Sequence, residues 1–299
     1  MDEQEQQRPV KVSVLIVSFN NAEALRRCLA SLERSKGRES MEIIVVDDGS
    51  RDESPQLDSE FPQATFLRLP RHFGLTKALN IGVRTSVGEY IFFLHADTEV
   101  FPETVPLLAA KLDAEPEAAA VCPLLVTPAG AIESQNRPLP DPASLYREWR
   151  SGAPAAGTAV VSGGEAMEVE YPDSAAIMAR SYFVKGMRHF DERYGEFGAH
   201  EELCWQIQRG SRKTLLVPSI KVVHYSQHIP IERLPAATRG LLSADQALGS
   251  AVFVSKHYGF LAGLKFRLSA IFSSLLAFRF AVFTRLLSGQ RIDGTQREL

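Results

Sequence analysis

EIIVVDDGSRDES, residues 42–54, runs from four β-branched residues, Ile43, Ile44, Val45 and Val46, straight into Asp47 and Asp48 and then a glycine- and serine-rich turn. An apolar run this short, apolar at every position and closed by turn residues, predicts a strand buried on both faces. Working outward, VSVLIV (12–17), TFLRL (65–69) and YIFFL (90–94) read the same way. Between them Ala24, Leu25, Cys28, Leu29 and Leu32 recur at helical spacing, and the stretch from Leu75 to Val87 reads as another helix. Buried strands alternating with helices predict βαβ units with right-handed crossovers. The expected fold class is α/β, with a doubly wound, mostly parallel sheet.

The chain has 299 residues, 45% hydrophobic and 23% charged, enough to bury a sizeable core. Its formal net charge of -3 gives no general attraction to nucleic acid, so no nucleic-acid partner is expected. Cys28, Cys122 and Cys204 are odd in number and far apart, which favours buried thiols in a reducing compartment over a disulfide frame or a metal site. The first residues, MDEQEQQRPVK, are polar and show no secretory pattern; they are expected to form a loose tail, and the location to be cytoplasmic.

In an open α/β sheet, ligands sit outside the carboxyl ends of the strands. The residues just past each apolar run are therefore the informative ones: Ser18, Phe19, Asn20 and Asn21; Asp47, Asp48, Gly49 and Ser50; His95, Ala96, Asp97 and Thr98. Each group alone could be a helix cap or a turn. Carboxylates after two different buried strands are harder to explain that way, since like charges converging on one rim repel unless a cation or donor lies between them. No G-x-G-x-x-G follows the first strand and no G-x-x-x-x-G-K-[ST] occurs, so the fingerprints of dinucleotide enzymes and P-loop NTPases are missing. One carboxylate for a base N–H or ribose hydroxyl and another for a hard divalent ion would suit a nucleoside diphosphate carrying a transferable group.

VSVLIVSFNNAEALRRCLASL, EIIVVDDGSRDES and RHFGLTKALNIGVRTSVGEYIFFLHADTEV together resemble family 2 of the nucleotide-sugar glycosyltransferases, most closely its rhamnosyltransferase-like bacterial branch. The likeness resumes at FDERYGEFGAHEELCWQIQRG and LLVPSIKVVHYSQ. It implies a GT-A fold with a Rossmann-like nucleotide-sugar half (1–130), an acceptor-binding, catalytic half (131–228) and a helical C-terminal extension (229–299). The implied activity is inverting transfer from a nucleotide-diphosphate sugar to a hydroxyl of a glycan or lipid-linked acceptor in surface polysaccharide synthesis. The implied cofactor is Mg²⁺ or Mn²⁺. A degenerate, nucleotide-binding relative without turnover is the alternative.

The resemblance also implies roles. Ser18, Asn20, Asp47 and Asp48 fall in the nucleotide pocket, and Gly74 and Asn80 in the motif following it, where His72 departs from the pattern and is expected on a surface loop, with a weak ligand contact as the other reading. The family's D-x-D is reduced to H-A-D, leaving Asp97 as the metal carboxylate and His95 as a sugar contact or a nitrogen ligand suited to Mn²⁺. His224 matches a histidine that reaches the diphosphate or its metal. The family's Glu-Asp pair falls on Ala199 and His200, while the acids stand at Glu201 and Glu202. Glu201 is the expected base, then Glu202, then His200; whichever glutamate is not the base is expected to serve the helix dipole.

Two segments remain. Thr127 to Tyr171 is rich in Pro, Gly, Ala and Ser and reads as an acceptor loop or linker, with Arg147, Trp149 and Arg150 expected at solvent. The segment 259–291 combines six phenylalanines, among them Phe260, Phe272 and Phe278, with Lys265, Arg267, Arg279, Arg285 and Arg291 and no acid, and its longest uncharged run is too short to span a bilayer. It is expected to lie on an anionic membrane surface, where a lipid-linked acceptor would be met, with packing on the catalytic domain or another subunit in an oligomer as the other reading.

Overall fold

The computed structural model describes residues 10–152, 157–158, 160–225 and 236–292. The expected N-terminal tail lies almost wholly outside them. The four strands read from sequence are β1 (Val12–Ser18), β2 (Met41–Asp47), β3 (Ala64–Arg68) and β4 (Tyr90–Leu94), with α1 (Ala22–Glu33) and α2 (Leu75–Thr85) between them. After them come β5 (Thr98–Val100), α3 (Thr104–Ala114), β6 (Ala118–Val126), α4 (Pro142–Ser151), β7 (Met167–Glu168), β8 (Ala176–Arg180) and α5 (Ser181–Gly186). The last elements are α6 (Ala199–Arg209), β9 (Lys213–His224), α7 (Ala236–Tyr258), α8 (Phe260–Leu276) and α9 (Phe280–Ser288).

The strands form one sheet in the order β3-β2-β1-β4-β8-β6-β9-β5, with β7 on β9. β3, β2, β1 and β4 run parallel, β8 runs antiparallel to both β4 and β6, and β9 returns parallel to β6. The sheet is thus parallel where the sequence shows uninterrupted apolar runs and mixed beyond them. β8, from the second half of the chain, sits between β4 and β6, so the two halves share one sheet.

Alternate strand residues feed two cores. Val14, Ile16, Ile43 and Val45 pack with Leu25 and Leu29 of α1 and Leu108 and Leu112 of α3. Leu15, Ile44 and Val46 pack with Ala78 and Val83 of α2 and Leu203 and Ile207 of α6. This is why these strands carry no polar alternation: neither face meets water. Cys28, Cys122 and Cys204 are buried free thiols, as their spacing predicts.

Two expectations for the variable stretch are corrected. It contains a helix, α4, capped by Asp141 with a reciprocal Ser144 bond and closed by Gly152 at φ 69°. Trp149 is buried, not at solvent; its indole N–H donates to the Ser243 carbonyl at 2.9 Å, and its ring packs with Ala244, Ala247 and Leu248 of α7. Arg147 and Arg150 are exposed as expected. α7 also approaches the loop before α6 so closely that a Cβ on Gly249 would lie 2.3 Å from the Phe197 carbonyl oxygen.

Candidate active site

The carboxyl ends of β2, β1 and β4 adjoin because β1 pairs with both neighbours, and Ser18 stands level with Asp47. Two inter-strand spacings, about 10 Å, therefore separate the end of β2 from that of β4. Asp47 is 2% exposed and its Oδ2 accepts from the Ser50 N–H at 3.3 Å. Its Oδ1 is buried with no hydrogen-bond partner. Burial pushes its pKa up, against the pull of Ser50. A buried, half-satisfied carboxylate is costly unless something else meets it.

The loops around Asp47 are stapled to one another. Asn20, at φ 49°, donates its backbone N–H to Ser50 Oγ at 2.9 Å, and its Oδ1 accepts from the Arg51 N–H at 2.8 Å. The Ser18 hydroxyl, fully buried, donates to Asn21 Oδ1 at 2.6 Å. Gly49 adopts φ 78°, and a Cβ there would lie 2.3 Å from the Arg71 carbonyl carbon, so glycine brings the β2 loop against residues 71–74.

Asp48 points into that contact. Its oxygens accept from the N–H groups of Phe73 at 2.8 Å and Gly74 at 2.9 Å. His72 is not a surface residue: it is 7% exposed, with Nδ1 2.8 Å from Asp48 Oδ2 as an ion-pair contact rather than an aligned hydrogen bond, and Nε2 3.0 Å from Glu196 Oε1. Burial alone would lower its pKa, but the two carboxylates outweigh this and raise it to about 10. Asp48, His72 and Glu196 also bring three potential ligand atoms together, but Asp48 already accepts from two backbone N–H groups and Glu196 from the Leu75 N–H, so both carboxylates are engaged. Asn80, expected to meet the nucleotide, is fully engaged elsewhere: its Nδ2 donates to the Phe190 carbonyl and its Oδ1 accepts from the Phe190 N–H, both at 2.9 Å.

Past β4, His95, Asp97 and His224 each offer a ligand atom within 4.8 Å of the others. Register explains the meeting: β5 begins at Thr98, which pairs with His224 on β9. His224 Nε2 lies 3.6 Å from Asp97 Oδ1, and its Nδ1 lies 2.7 Å from Glu133 Oε2. Burial lowers the His224 pKa, but Asp97 and Glu133 overcome it and raise it to about 10. One carboxylate and two imidazoles, one of them oriented by a further carboxylate, fit a divalent ion of the Mn²⁺ kind.

Three candidate bases occupy the first turn of α6. Glu202 is 2% exposed and accepts from Tyr194 Oη and His257 Nε2 at 2.6 Å each, Gln206 Nε2 at 2.7 Å and Lys256 Nζ at 2.8 Å. Although burial opposes ionisation, these donors hold its carboxyl well below the usual range. It has no lone pair to spare and is set aside as a base. Glu201 lines a small pocket with Glu148, Phe197, Gln246 and Ser250, between α4, α6 and α7. His200 Nε2 lies 2.7 Å from the Pro172 carbonyl, which can only accept, so Nε2 carries the proton and Nδ1 the lone pair. Burial lowers the His200 pKa. Neighbouring Asp173 also senses His95, and Ser174 Oγ lies 3.4 Å from His95 Nε2, so the segment 172–174 links His200 to the strand end bearing Asp97.

Sequence reasoning missed Glu133, Asp173 and Glu196. They are lone acids in loops, and only the folded chain puts them beside histidines.

The sheet that carries an unsatisfied carboxylate at one strand end and a group of potential metal ligands at another has the GT-A fold. Residues 13–156 match the Glycosyl transferase family 2 model. The chain is 31% identical over 110 residues to an N-acetylglucosaminyltransferase of Sinorhizobium fredii, covering 35% of this chain and 27% of that protein. It is 32% identical over 132 residues to an N-acetylglucosaminyltransferase of Mesorhizobium japonicum, covering 42% and 29%. It thus spans under a third of the length of these relatives. Among solved structures, GalNAc-T7 with UDP, GalNAc and Mn²⁺ superposes with a TM-score of 0.57 at 19% identity, over 73% of this chain and 44% of that one. S. aureus TarS 1–349 superposes with a TM-score of 0.54 at 16% identity, over 92% and 80%. These likenesses carry the GT-A fold; none of them singles out a rhamnosyltransferase-like branch.

Proposed function

We propose that the chain transfers a sugar, with inversion, from a nucleoside-diphosphate sugar to a hydroxyl of a glycan or lipid-linked acceptor. The observation that carries this reading is Asp47: a fully buried carboxylate with one oxygen unsatisfied, held rigidly at a sheet rim by two stapled loops. Such an oxygen is an acceptor for an N–H in the plane of a nucleobase. An imide N–H, as in uracil, or the N–H edge of guanine supplies one; adenine and cytosine offer only an amino group. The two N-acetylglucosaminyltransferase relatives and the UDP-bound structural neighbour favour UDP and an N-acetylated sugar.

Asp97 and His224, with His95, would hold the divalent cation. When bound, it supplies charge neutralisation at the diphosphate oxygens as the leaving group departs. The proton of the acceptor hydroxyl goes to His200 Nδ1, because Pro172 fixes the tautomer and burial keeps the ring neutral, with its lone pair on Nδ1. The acceptor oxygen then bonds to the anomeric carbon from the face opposite the diphosphate, and the bond from that carbon to the phosphate oxygen breaks with its electron pair on the nucleoside diphosphate. A single displacement of this kind inverts the configuration.

Glu201 remains the alternative base, favoured by its place on a pocket wall with two polar α7 side chains. His200→Gln and Glu201→Gln separate the two. With UDP-N-acetylglucosamine and Mn²⁺, the first is expected to lower nucleoside diphosphate release by a hundredfold or more, and His200→Asp to restore part of it. Glu201→Gln losing more than His200→Gln would move the role to Glu201. Binding of the nucleotide without turnover in the unsubstituted chain would instead favour a degenerate, binding-only protein.

The C-terminal helices supply the surface on which such an acceptor is met. α8 and α9 bury Phe266, Ala270, Val282 and Leu286 against α7, while Phe260, Leu261, Leu268, Phe272, Phe278 and Phe280 stand 55–78% exposed. An apolar face of this size and aromatic content fits a membrane interface. Its basic residues are fewer than the sequence implies. Arg267 is turned to the Leu286 carbonyl, Arg279 to Ser243 and the Trp149 ring, and Arg291 to Asp245. No described helix is long and apolar enough to cross a membrane.

A further inference from the structure

The loop 195–198 ends where α6 begins, so its placement fixes the first turn that carries His200 and Glu201. Three elements pin it. Thr76, in the first turn of α2, donates its N–H and hydroxyl to the Gly195 carbonyl at 3.0 and 2.7 Å. Asp245 of α7 accepts from the Glu196 N–H at 3.0 Å and is itself paired to Arg291 at 3.0 Å. The third is His72, whose ring reaches Glu196 at one nitrogen and Asp48 at the other and lies 4.3 Å, centroid to centroid, from Phe19 in the loop after β1. Phe19 sits between Ser18 and Asn20, and Asp48 adjoins Asp47, so His72 touches both nucleotide-side loops and the loop leading to the candidate base.

We propose that His72 is a positioning residue: its imidazole clasps the nucleotide rim, through Asp48, to Glu196, and so sets the first turn of α6 over the donor site. The clasp has independent support in Glu196 Oε1, which also accepts from the Leu75 N–H at 3.2 Å, so one carboxylate ties the start of α2 and the start of α6 to the same histidine. The two carboxylates hold His72 protonated, so one positive charge lies between them at neutral pH. Without it, Asp48 and Glu196 would face each other across a buried gap with like charge, and the loop would move toward water.

The effect on transfer rests on the sugar-transfer reading; the clasp itself does not. Two variants separate the ends of the clasp. In His72→Asn the amide keeps a donor toward Asp48 but cannot reach Glu196, and in Glu196→Gln the histidine keeps Asp48 alone. Amide hydrogen exchange on the full chain is expected to rise at least tenfold at residues 195–203 in both variants, with β1 and β2 unchanged. With Mn²⁺ present, the affinity for UDP is expected to stay within threefold of the unsubstituted chain while nucleoside diphosphate release falls tenfold or more. Unchanged exchange at residues 195–203, or affinity and rate falling by the same factor, would overturn the proposal. Exchange needs no turnover, so a chain that released no nucleoside diphosphate from any nucleotide sugar would refute the sugar-transfer reading while the exchange result still decides the clasp.

Discussion

Glu202 of α6 and His257 of α7 meet at 2.6 Å, both almost wholly buried, with Tyr194, Gln206 and Lys256 completing the shell around the carboxylate. This junction bolts the C-terminal helices to the helix that carries the candidate base. Removing the carboxylate strands buried donors, so Glu202→Ala is expected to destabilise the fold by about 3–5 kcal/mol, measured by denaturant unfolding. The carboxyl titrates below its unfolded value. Its contribution is therefore complete above the unfolded carboxyl range and is lost as the pH falls through and below that range. The unsubstituted chain should lose stability on acidification more steeply than Glu202→Gln.

His72 gives the opposite sign. Its pKa rises from 6.5 to about 10 in the folded chain, facing Asp48 and Glu196. The stability it contributes is present in full below pH 6.5 and is lost as the pH climbs toward 10. The melting temperature of the unsubstituted chain should decline between those limits, and that of His72→Asn should change less.

On the proposed function, Asp47 serves a ligand at the expense of stability. Asp47→Asn removes a charge that burial already disfavours, so the melting temperature is expected to hold or rise. Affinity for UDP should fall by tenfold or more, the scale of a hydrogen bond to a charged acceptor. Scanning calorimetry measures the melting temperature and calorimetric titration the affinity.

Glu133 orients His224 from behind, through a 2.7 Å contact at the nitrogen away from Asp97. Partners of this kind typically contribute 10–100-fold to metal affinity. Glu133→Gln should raise the Mn²⁺ concentration needed for half-maximal nucleoside diphosphate release by about that factor, with little change in rate at saturating metal.

Because Arg267, Arg279 and Arg291 are engaged inside the helical layer, vesicle binding should rest on apolar contact more than on charge. Co-sedimentation is expected to persist at high salt, where surface electrostatics are screened. Phe272→Ser and Phe278→Ser should each weaken it about tenfold, the scale of burying one aromatic side chain. Release by salt alone would show that charge dominates.

The parallel part of the fold was legible because Ile43 to Val46 and Tyr90 to Leu94 are buried on both faces and carry no polar residue to blur them. β8 was missed: AIMAR is short, ends in arginine and follows a loop-like composition. α4 had its signals in plain view, Asp141, Pro142 and Gly152 at cap positions, but the surrounding Pro and Gly masked them. Asp47 and Asp97 could be picked out because each follows a buried strand. The burial of His72, the saturation of Glu202 and the engagement of Asn80 could not, since each depends on a partner far along the chain or on a helix docked from the C-terminal segment.

The most direct measurement is a crystal structure of the chain soaked with UDP and Mn²⁺. The nucleobase edge is expected within hydrogen-bond distance of Asp47 Oδ1, with Mn²⁺ on Asp97 and His224 and coordinated by the diphosphate. A nucleotide bound away from Asp47, or a metal that leaves Asp97 and His224 unligated, would contradict the account.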